Sequence, residues 1–320
     1  MAAYAGVDLG ATNVRAVVGD GSARELGSDT RATPRGPNGI AVTEAILDSL
    51  RAACDDANVS PTSIVAAGIG SIGPLDLAEG VVENPANLPD RIDQIPLTGP
   101  VGNLIDSEQV YLHNDTNAGV IGERYFSDRN PDDMVYLTIS SGIGAGVAVD
   151  GNVIGGWDGN AGEVGHMTLD PAGVMGCGCG SDGHWEAYCS GNNIPHYALQ
   201  LHSEDGMETS LPVESGDFDA ADVFDHARDG DDFAEYVIEQ VGHLNAIGVA
   251  NIVQAYAPLV VYVGGAVALN NPDAVLEPIR EEIPEMVLGN LPDVKLTTLG
   301  DDIVVMGALA SALTGGTGER

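Results

Sequence analysis

Lysine is almost absent from this chain of 320 residues, in which Lys295 is the only one. Lysine and arginine together number 12 against 48 aspartates and glutamates, so the formal net charge is −36. Such a surface repels phosphate groups, which excludes nucleic acid and an anionic membrane as expected partners. The acidic residues are scattered among apolar periodic segments, unlike those of a disordered acidic protein. We therefore predict a folded protein from a high-salt cytoplasm, where salt screens the repulsion between carboxylates.

Long hydrophobic runs are also missing, since no unbroken apolar stretch reaches the ~18 residues that a membrane-spanning helix requires. The first eight residues lack the basic and then apolar pattern of a signal peptide, so a cytoplasmic location is expected. There are only four cysteines, which argues against a disulfide framework in an intracellular chain of this length. Cys54 lies in a stretch with helical apolar spacing and is predicted to be buried packing.

Strand and helix patterns alternate along the chain in two blocks, each beginning with a strand, a glycine-rich turn and a second strand. This order predicts an α/β protein built as two related halves. Residues 1–113 with 303–320 are expected to form a small α/β domain, and residues 114–302 a large one with a metal site. The predicted strands include residues 4–9, 14–19, 24–30, 63–70, 110–114, 134–140, 145–150 and 259–263, and the predicted helices residues 43–58, 116–125, 187–202, 233–257 and 303–313.

Possible metal ligands are concentrated in one glycine-rich stretch, residues 159–186. Zn²⁺ accepts thiolate and imidazole groups in a tetrahedral shell, and closed shells of four protein ligands are usually structural. Glu163 and Glu186 are interleaved with the metal-ligand residues, so a metal there would hold both carboxylates in a pocket for the hydroxyl groups of a small polar ligand. Cys189 is an alternative to His184 in the set. The predicted ligands are His166, Cys177, Cys179 and His184.

Two glycine-rich turns occupy corresponding positions in the two halves. Backbone N–H groups exposed in such turns, together with hydroxyl side chains, form concavities that bind phosphate. A plain β-hairpin would explain either turn alone, whereas the pair favours phosphate binding. The first turn contains Asp8, Gly10, Thr12 and Asn13, and the second contains Thr138, Ser141 and Gly142.

Two other nucleotide motifs are excluded. Residues 68–73 have the G-x-G-x-x-G spacing of a dinucleotide site, but Pro74 follows where that site requires a helix. No Walker A motif exists, because the chain's single lysine is Lys295.

Asp115 lies where a buried strand pattern meets the start of a predicted helix. One interpretation makes it the N-cap of that helix. The other makes it a general base at the mouth of a cleft between the two halves.

Together these segments resemble the ROK family of sugar kinases, within the actin-like ATPase and hexokinase superfamily, over essentially the whole chain. The family's metal motif ends in a cysteine where this chain has His184, an exchange that zinc tolerates. Asp182 and Cys189 are the alternatives at that position. The matching segments are residues 8–12 and 138–146 for the phosphate motifs, 83–88 for a sugar-contacting loop, 114–115 for the catalytic pair, 159–166, 262–265 for adenosine and 306–309.

The resemblance implies a two-domain actin-like ATPase or hexokinase (ribonuclease H-like) fold and ATP-dependent phosphorylation of a hexose, most often glucose at its 6-hydroxyl. Asp115 would be the general base, Zn²⁺ would be structural, and Mg²⁺ would accompany ATP. A homodimer or higher homo-oligomer is the family-level expectation. The implied sugar-binding residues are Asn87, Asn114, Asp115, Glu163, His166 and Glu186, and the implied nucleotide-binding residues are Asp8, Gly10, Thr12, Asn13, Thr138, Ser141, Gly142, Gly264 and Gly265.

Other activities share this scaffold. Kinases of N-acetylmannosamine, N-acetylglucosamine, fructose and allose are the alternatives among enzymes, and polyphosphate is the alternative donor, which the acidic surface disfavours. Sugar-responsive repressors of the family carry a helix-turn-helix domain ahead of the kinase-like body, and here the phosphate strand begins at Tyr4. A non-catalytic sugar-binding regulator is disfavoured because Asp115 and both phosphate turns are present.

Overall fold

The computed structural model of the chain describes residues 2–85, 88–89, 92–157 and 159–320. Among these residues, no helix is long and apolar enough to cross a membrane. The strands are β1 (Ala3–Leu9), β2 (Asn13–Asp20), β3 (Glu25–Ala32), β4 (Ile64–Ser71), β5 (Leu75–Asp76), β6 (Val81–Glu83), β7 (Gln94–Pro96), β8 (Val110–Asn114), β9 (Met134–Ile139), β10 (Ile143–Val149), β11 (Asn152–Val153), β12 (Val260–Gly264) and β13 (Asp293–Leu296). The α-helices are α1 (Gly39–Asp56), α2 (Thr98–Ile105), α3 (Asp115–Phe126), α4 (Glu186–Cys189), α5 (Ile194–Asp205), α6 (Ala220–Arg228), α7 (Asp232–Tyr256), α8 (Ala266–Asn270), α9 (Pro272–Met286) and α10 (Ile303–Thr314).

The chain divides into two compact units. Unit 1 comprises Met1–Tyr136, Gly146–Gly162 and Asp301–Arg320, and unit 2 comprises Leu137–Ala145 and Glu163–Gly300. The α/β class predicted from the alternating patterns is confirmed. The predicted domains, residues 1–113 with 303–320 and residues 114–302, stay a prediction.

Unit 1 is built on a five-stranded sheet with the order β3-β2-β1-β4-β8. The first three strands are antiparallel neighbours, whereas β4 runs parallel to β1 and β8 runs parallel to β4. The central strands β1 and β4 are almost wholly buried and consist mainly of small and apolar residues. Helix α10 packs against both of them and against α3. The larger apolar cluster of unit 1 joins these strands to α1 and includes Val7, Ile46 and Leu50.

The strand register brings polar residues to one edge of this sheet. Leu9 at the end of β1 is level with Ser71 at the end of β4, and Ser71 is level with Asn114 at the end of β8. Asp8 therefore lies at the same edge as Asn114 and the start of α3. Ligands of open α/β sheets bind at the carboxyl ends of parallel strands.

The second five-stranded sheet has the order β11-β10-β9-β12-β13. Within unit 2, β12 is completely buried and pairs in parallel with β13. The long helix α7 packs against α9 and α6. The predicted helix over residues 187–202 is two helices, α4 and α5, because the chain turns at residues 190–193, where the Gly191 N–H donates to the Ser140 carbonyl at 2.6 Å.

Candidate functional site

Asp8 sits at the end of β1, opposite Arg15 in the antiparallel register of β1 and β2. Burial is the main effect that raises the pKa of Asp8; Arg15 lowers this pKa and the carboxylates of Asp115 and Asp302 raise it, with a net value of about 7. Arg15 is anchored by hydrogen bonds to the Asp301 carbonyl at 2.9 Å and to the Asp302 carboxylate at 3.3 Å. The carboxylates of Asp115 and Asp302 thus lie within electrostatic range of Asp8, an arrangement that favours binding of a divalent cation.

The first glycine-rich turn is closed by its own backbone. The Gly10 N–H donates to the Asn13 carbonyl at 2.9 Å, and Thr33 fixes the turn through bonds to the Gly10 and Thr12 carbonyls at 2.7 and 2.8 Å. The Thr12 side chain remains exposed. The turn therefore presents a hydroxyl group beside Asp8, as the phosphate interpretation requires.

Asn114, not Asp115, is the N-cap of α3. Its side-chain oxygen accepts hydrogen bonds from the Thr116 N–H at 3.0 Å and the Thr116 hydroxyl at 2.8 Å. Asp115 is the first residue of the helix, is half-buried, and accepts from the same Thr116 N–H at 2.7 Å. A negative charge in the first helical turn interacts favourably with the helix dipole, so the position suits a carboxylate.

The four predicted metal ligands lie together in unit 2. One ligand atom from each of His166, Cys177, Cys179 and His184 lies within 4.8 Å of the others. The pairs Cys177 Sγ–His166 Nδ1 and Cys179 Sγ–His184 Nδ1 are 3.6 and 3.3 Å apart. A tetrahedral zinc ion with its usual bond lengths separates sulfur from nitrogen by about 3.6 Å, so the donor set and its spacing fit zinc.

Cys189, the alternative ligand, faces a different part of unit 2. It is fully buried, and its thiol donates to the Val241 carbonyl at 3.6 Å. Burial raises the pKa of Cys189, which disfavours the thiolate that a metal needs.

The two predicted carboxylates lie beside the metal ligands. His166 turns Nδ1 towards Cys177, while its Nε2 lies 3.8 Å from Glu163 Oε2. Burial raises the pKa of Glu163, His166 lowers it and Glu186 raises it, so the three groups lie within electrostatic range. Glu186 accepts the Ile143 N–H at 2.8 Å, which ties it to the second glycine-rich turn.

Space for side chains is limited in and beside the second turn. A Cβ at Gly142 would lie 2.7 Å from the Glu186 carboxylate. Gly265 has a φ of +87°, and a Cβ there would lie 2.5 Å from the Ile139 carbonyl and 2.6 Å from Thr138 Oγ1. The predicted phosphate turn and Gly265, the last residue of the predicted adenosine segment, are therefore neighbours.

A cleft of about 590 Å³ adjoins this turn in unit 2. Ser140 and Ser141 line it on one side, and Phe224 and Arg228 of α6 line it on another. The contribution of α6 to the lining of this cleft was not predicted from the sequence. The missed signal was a capping box, in which the side chains of Asp219 and Asp222 accept each other's backbone N–H.

Asn87, the remaining predicted sugar ligand, lies outside the described residues. The other predicted site residues fall into two groups. Asp8, Gly10, Thr12, Asn13, Asn114 and Asp115 lie in unit 1, and Thr138, Ser141, Gly142, Glu163, His166, Cys177, Cys179, His184, Glu186, Gly264 and Gly265 lie in unit 2.

In unit 1, the first strand of a five-stranded sheet has an acidic residue at its end and is followed by a glycine-rich turn. This arrangement identifies the actin-like ATPase and hexokinase class of proteins. Within that class the chain belongs to the ROK family, whose family description matches residues 4–314.

Three similar proteins illustrate the match. The glucokinase of Pyrobaculum calidifontis is 35% identical over 312 residues, which cover 98% of this chain and 95% of that protein. The crystal structure of the ROK hexokinase from Thermus thermophilus superposes with a TM-score of 0.80 at 32% identity and covers 97% of each chain. The structure of a ROK family glucokinase from Streptomyces griseus in complex with glucose and AMPPNP gives a TM-score of 0.74 at 28% identity, over 97% of this chain and 99% of that one.

Proposed function

We propose that this protein is a glucokinase that transfers the γ-phosphoryl group of ATP to the 6-hydroxyl of glucose. The similar proteins named glucokinase support the activity and the sugar. The structural observation that carries the proposal is the convergence of Asp115 with Asp8 and the first glycine-rich turn at one sheet edge. A base and a phosphate-binding turn are thereby within reach of one reacting hydroxyl.

Asp115 acts as the general base. Its carboxylate accepts the proton of the sugar hydroxyl, the sugar oxygen forms the new bond to phosphorus, and the bond from phosphorus to the leaving oxygen of ADP breaks. Phosphoryl transfer depends mainly on positioning and charge stabilisation. A general base contributes typically ~10²–10⁴-fold to such a reaction.

The remaining sugar hydroxyls are bound by amide, carboxylate and imidazole groups. Asn87 and Asn114 supply amides, and Glu163 and Glu186 supply acceptors. Because His166 turns its Nδ1 towards Cys177, its Nε2 is left to bind a sugar hydroxyl near Glu163. An imidazole held by a metal has a fixed ring orientation, which strengthens this hydrogen bond.

The metal at His166, Cys177, Cys179 and His184 is zinc with a structural function. A closed shell of four protein ligands leaves no position for substrate, so zinc would stabilise the loop and take no part in the reaction. Mg²⁺ bound with ATP would be held near Asp8, directly or through water, and would neutralise phosphate charge.

ATP is the donor that fits unit 2. In unit 2, Thr138 and Ser141 hold phosphates, Gly264 and Gly265 adjoin the nucleoside, and the cleft of about 590 Å³ is large enough for adenosine. In unit 1, Thr12 is the proposed phosphate ligand. Polyphosphate would need several cations. Arg228 is the single cationic side chain in the described lining of that cleft, and it is already paired with Asp225 and Asn271.

A coupled assay of ADP release across a panel of hexoses, in molar salt, tests the proposal. We expect glucose to give the highest kcat/KM. Asp115→Asn should lower kcat by about two orders of magnitude or more while sugar binding is retained, because the amide cannot take the proton. Asp128→Asn, which changes an exposed carboxylate after the end of α3, is the control and should leave kcat unchanged. Near-normal turnover by Asp115→Asn would remove Asp115 as base, and preference for another hexose would correct the sugar.

The wider assignments are proposals of the same kind. The net charge of −36 supports a high-salt cytoplasm. Glucose 6-phosphate production supports a function at the start of glycolysis. A homodimer or higher homo-oligomer is proposed from the family alone.

A further inference from the structure

His184 and Glu186, the candidate metal ligand and sugar-binding carboxylate, are separated by a single residue, Trp185. The Trp185 N–H donates to the Met167 carbonyl at 3.0 Å, and His184 pairs with Thr168 in an isolated β-bridge. Glu186 begins α4. A change in main-chain conformation at Trp185 therefore changes the orientation of both the His184 imidazole and the Glu186 carboxylate.

The Trp185 side chain occupies a slot on α7. It is 0% exposed, and its indole N–H donates to Asn245 Oδ1 at 2.9 Å. Gly248 leaves the helix backbone open to the ring, since a Cβ there would lie 2.5 Å from two of the ring carbons. Asn245 and Gly248 are three residues apart and share one helix face, so one supplies the acceptor and the other the space.

The two residues that form this slot, Asn245 and Gly248, lower the stability of α7 itself. Glycine in a helix interior is less favourable than alanine. Asn245 is also 0% exposed, and its Nδ2 lacks a hydrogen-bond partner among the described residues. A buried amide with an unpartnered donor costs stability, and leucine would avoid that cost. The Asn245 amide does fix the orientation of the Trp185 ring, because an indole N–H can only donate a hydrogen bond and here meets the amide oxygen.

We infer that Trp185 and Asn245 are positioning residues, which set the orientation of the His184 imidazole and of the Glu186 carboxylate. The inference rests on the proposed function for the sugar contact of Glu186. The hydrogen bond holds the indole, and the indole holds the main chain between the two functional side chains. Without it these side chains occupy several orientations, and sugar binding has to order them.

Two substitutions of Asn245 test the hydrogen bond. Asn245→Leu keeps the branched shape of the side chain and removes the acceptor, whereas Asn245→Asp keeps an acceptor oxygen. We expect Asn245→Leu to raise the KM for hexose about tenfold or more with little change in kcat or Tm, because the loss is in ordering before the reaction. Asn245→Asp should keep KM within about threefold of the wild type.

Trp185→Phe, which keeps an aromatic ring without the N–H, should raise KM as Asn245→Leu does. The double variant should be no worse than either single variant, because both remove the same hydrogen bond. If Trp185→Phe does not fold, the two Asn245 variants decide.

A second readout needs no turnover. Trp157 is the other tryptophan and is 97% exposed, so Trp157→Phe leaves Trp185 as the only indole reporter. We expect its emission to change when a chelator removes the metal and when hexose is added. In this background Asn245→Leu should shift the emission and speed the loss of zinc to the chelator.

Phe233→Leu is the matched control, since Phe233 is also 0% exposed and lies on α7. It should lower Tm and leave KM and zinc retention unchanged. The inference is overturned if Asn245→Leu has the KM, the zinc retention and the emission of the wild type. It is also overturned if Phe233→Leu raises the KM by the same amount as Asn245→Leu. A wild-type protein that phosphorylates no hexose would contradict the proposed function instead, and the zinc and emission comparisons would then decide on positioning.

Discussion

Arg124 shows how a single residue holds together distant parts of unit 1. It lies in α3, is 1% exposed, and its guanidinium donates to the carbonyls of Pro131 at 3.2 Å and of Gly151 and Thr317 at 2.8 Å each. Its remaining nitrogen pairs with the Asp132 carboxylate at 2.7 Å. Buried backbone carbonyls need hydrogen-bond donors, and a planar guanidinium supplies several at once.

We expect Arg124→Met to lower the free energy of unfolding by about 3 kcal/mol, because one buried and two partly buried carbonyl contacts lose their donor. Chemical denaturation of the full chain in molar salt measures this change. Asp132→Asn is the control. Its carboxylate is 67% exposed, so the loss should be at most about 1 kcal/mol. Equal losses in both variants would show that the exposed ion pair, and not the carbonyl contacts, carries the stability.

The candidate site residues were far easier to predict from the sequence than the buried position of Arg124. Asp115, His166 and the cysteines stand in short patterns whose spacing has a chemical reason, so their grouping could be predicted. Arg124 has no such signal, since an arginine in a helical segment is normally placed on the solvent face. Its burial depends on loops that come together only in the folded unit.

Two features of the helices were not predicted, because tertiary packing overrides the local preference of the sequence. Helix α9 contains Pro278 and Pro284 in its interior, and proline normally interrupts a helix because it has no N–H. The apolar face of α9 packs against α7, which supports the helix despite the prolines. The split between α4 and α5 was missed for a related reason: helical spacing continues across residues 190–193, where a contact with Ser140 bends the chain.

The loop that carries the predicted metal ligands should depend on a bound ion for its order. The Cys177 N–H donates to the Ser181 carbonyl and the Gly180 N–H to the Cys177 carbonyl, so the loop is tight, and its residues 178–182 are exposed. Replacing Cys177 and Cys179 with serine should abolish stoichiometric zinc, measured by elemental analysis. It should also raise the KM for hexose, because His166 is then free to turn. Cys54→Ser, in the buried face of α1, should change neither, and a wild-type protein free of zinc would contradict the site.

Helix α7 begins at a carboxylate whose charge should be visible in the pH dependence of stability. Burial raises the pKa of Asp231, but hydrogen bonds from Ser210, Ala234 and Thr209 outweigh it and lower the pKa to about 2. Because the folded pKa lies below the unfolded value, the stabilisation is complete above about pH 4 and is lost as pH falls towards 2.

Asp231→Asn keeps a capping oxygen and removes the charge. It should cost about 1 kcal/mol of unfolding free energy at pH 7, since hydrogen bonds to a charged acceptor are stronger than those to a neutral one. The difference from the wild type should shrink between pH 4 and pH 2. Asp232→Asn changes an exposed carboxylate one residue later and should show no such convergence. A difference that stays constant with pH would rule out the charge as its cause.

The charge of the whole molecule sets its response to salt. Twelve cationic side chains oppose 48 carboxylates, so folding brings like charges together over most of the surface. The Debye length falls from about 30 Å at 0.01 M to about 3 Å at 1 M, which removes nearly all long-range repulsion. The compact state should therefore gain stability with salt over a far wider range than a neutral protein does.

We expect Tm to rise by about 10 °C or more between 0.1 and 2 M KCl, measured by calorimetry, because several kcal/mol of repulsion are screened. A charge variant separates screening from general effects of salt on hydrophobic burial. It replaces six exposed carboxylates with lysine and raises the formal net charge from −36 by two units at each position. Its Tm should be higher than that of the wild type at low salt and should rise less steeply with salt. An equal slope in the two proteins would assign the salt effect to burial and contradict the high-salt interpretation of the composition. The six positions are Glu44, Asp55, Glu235, Glu239, Glu281 and Glu285.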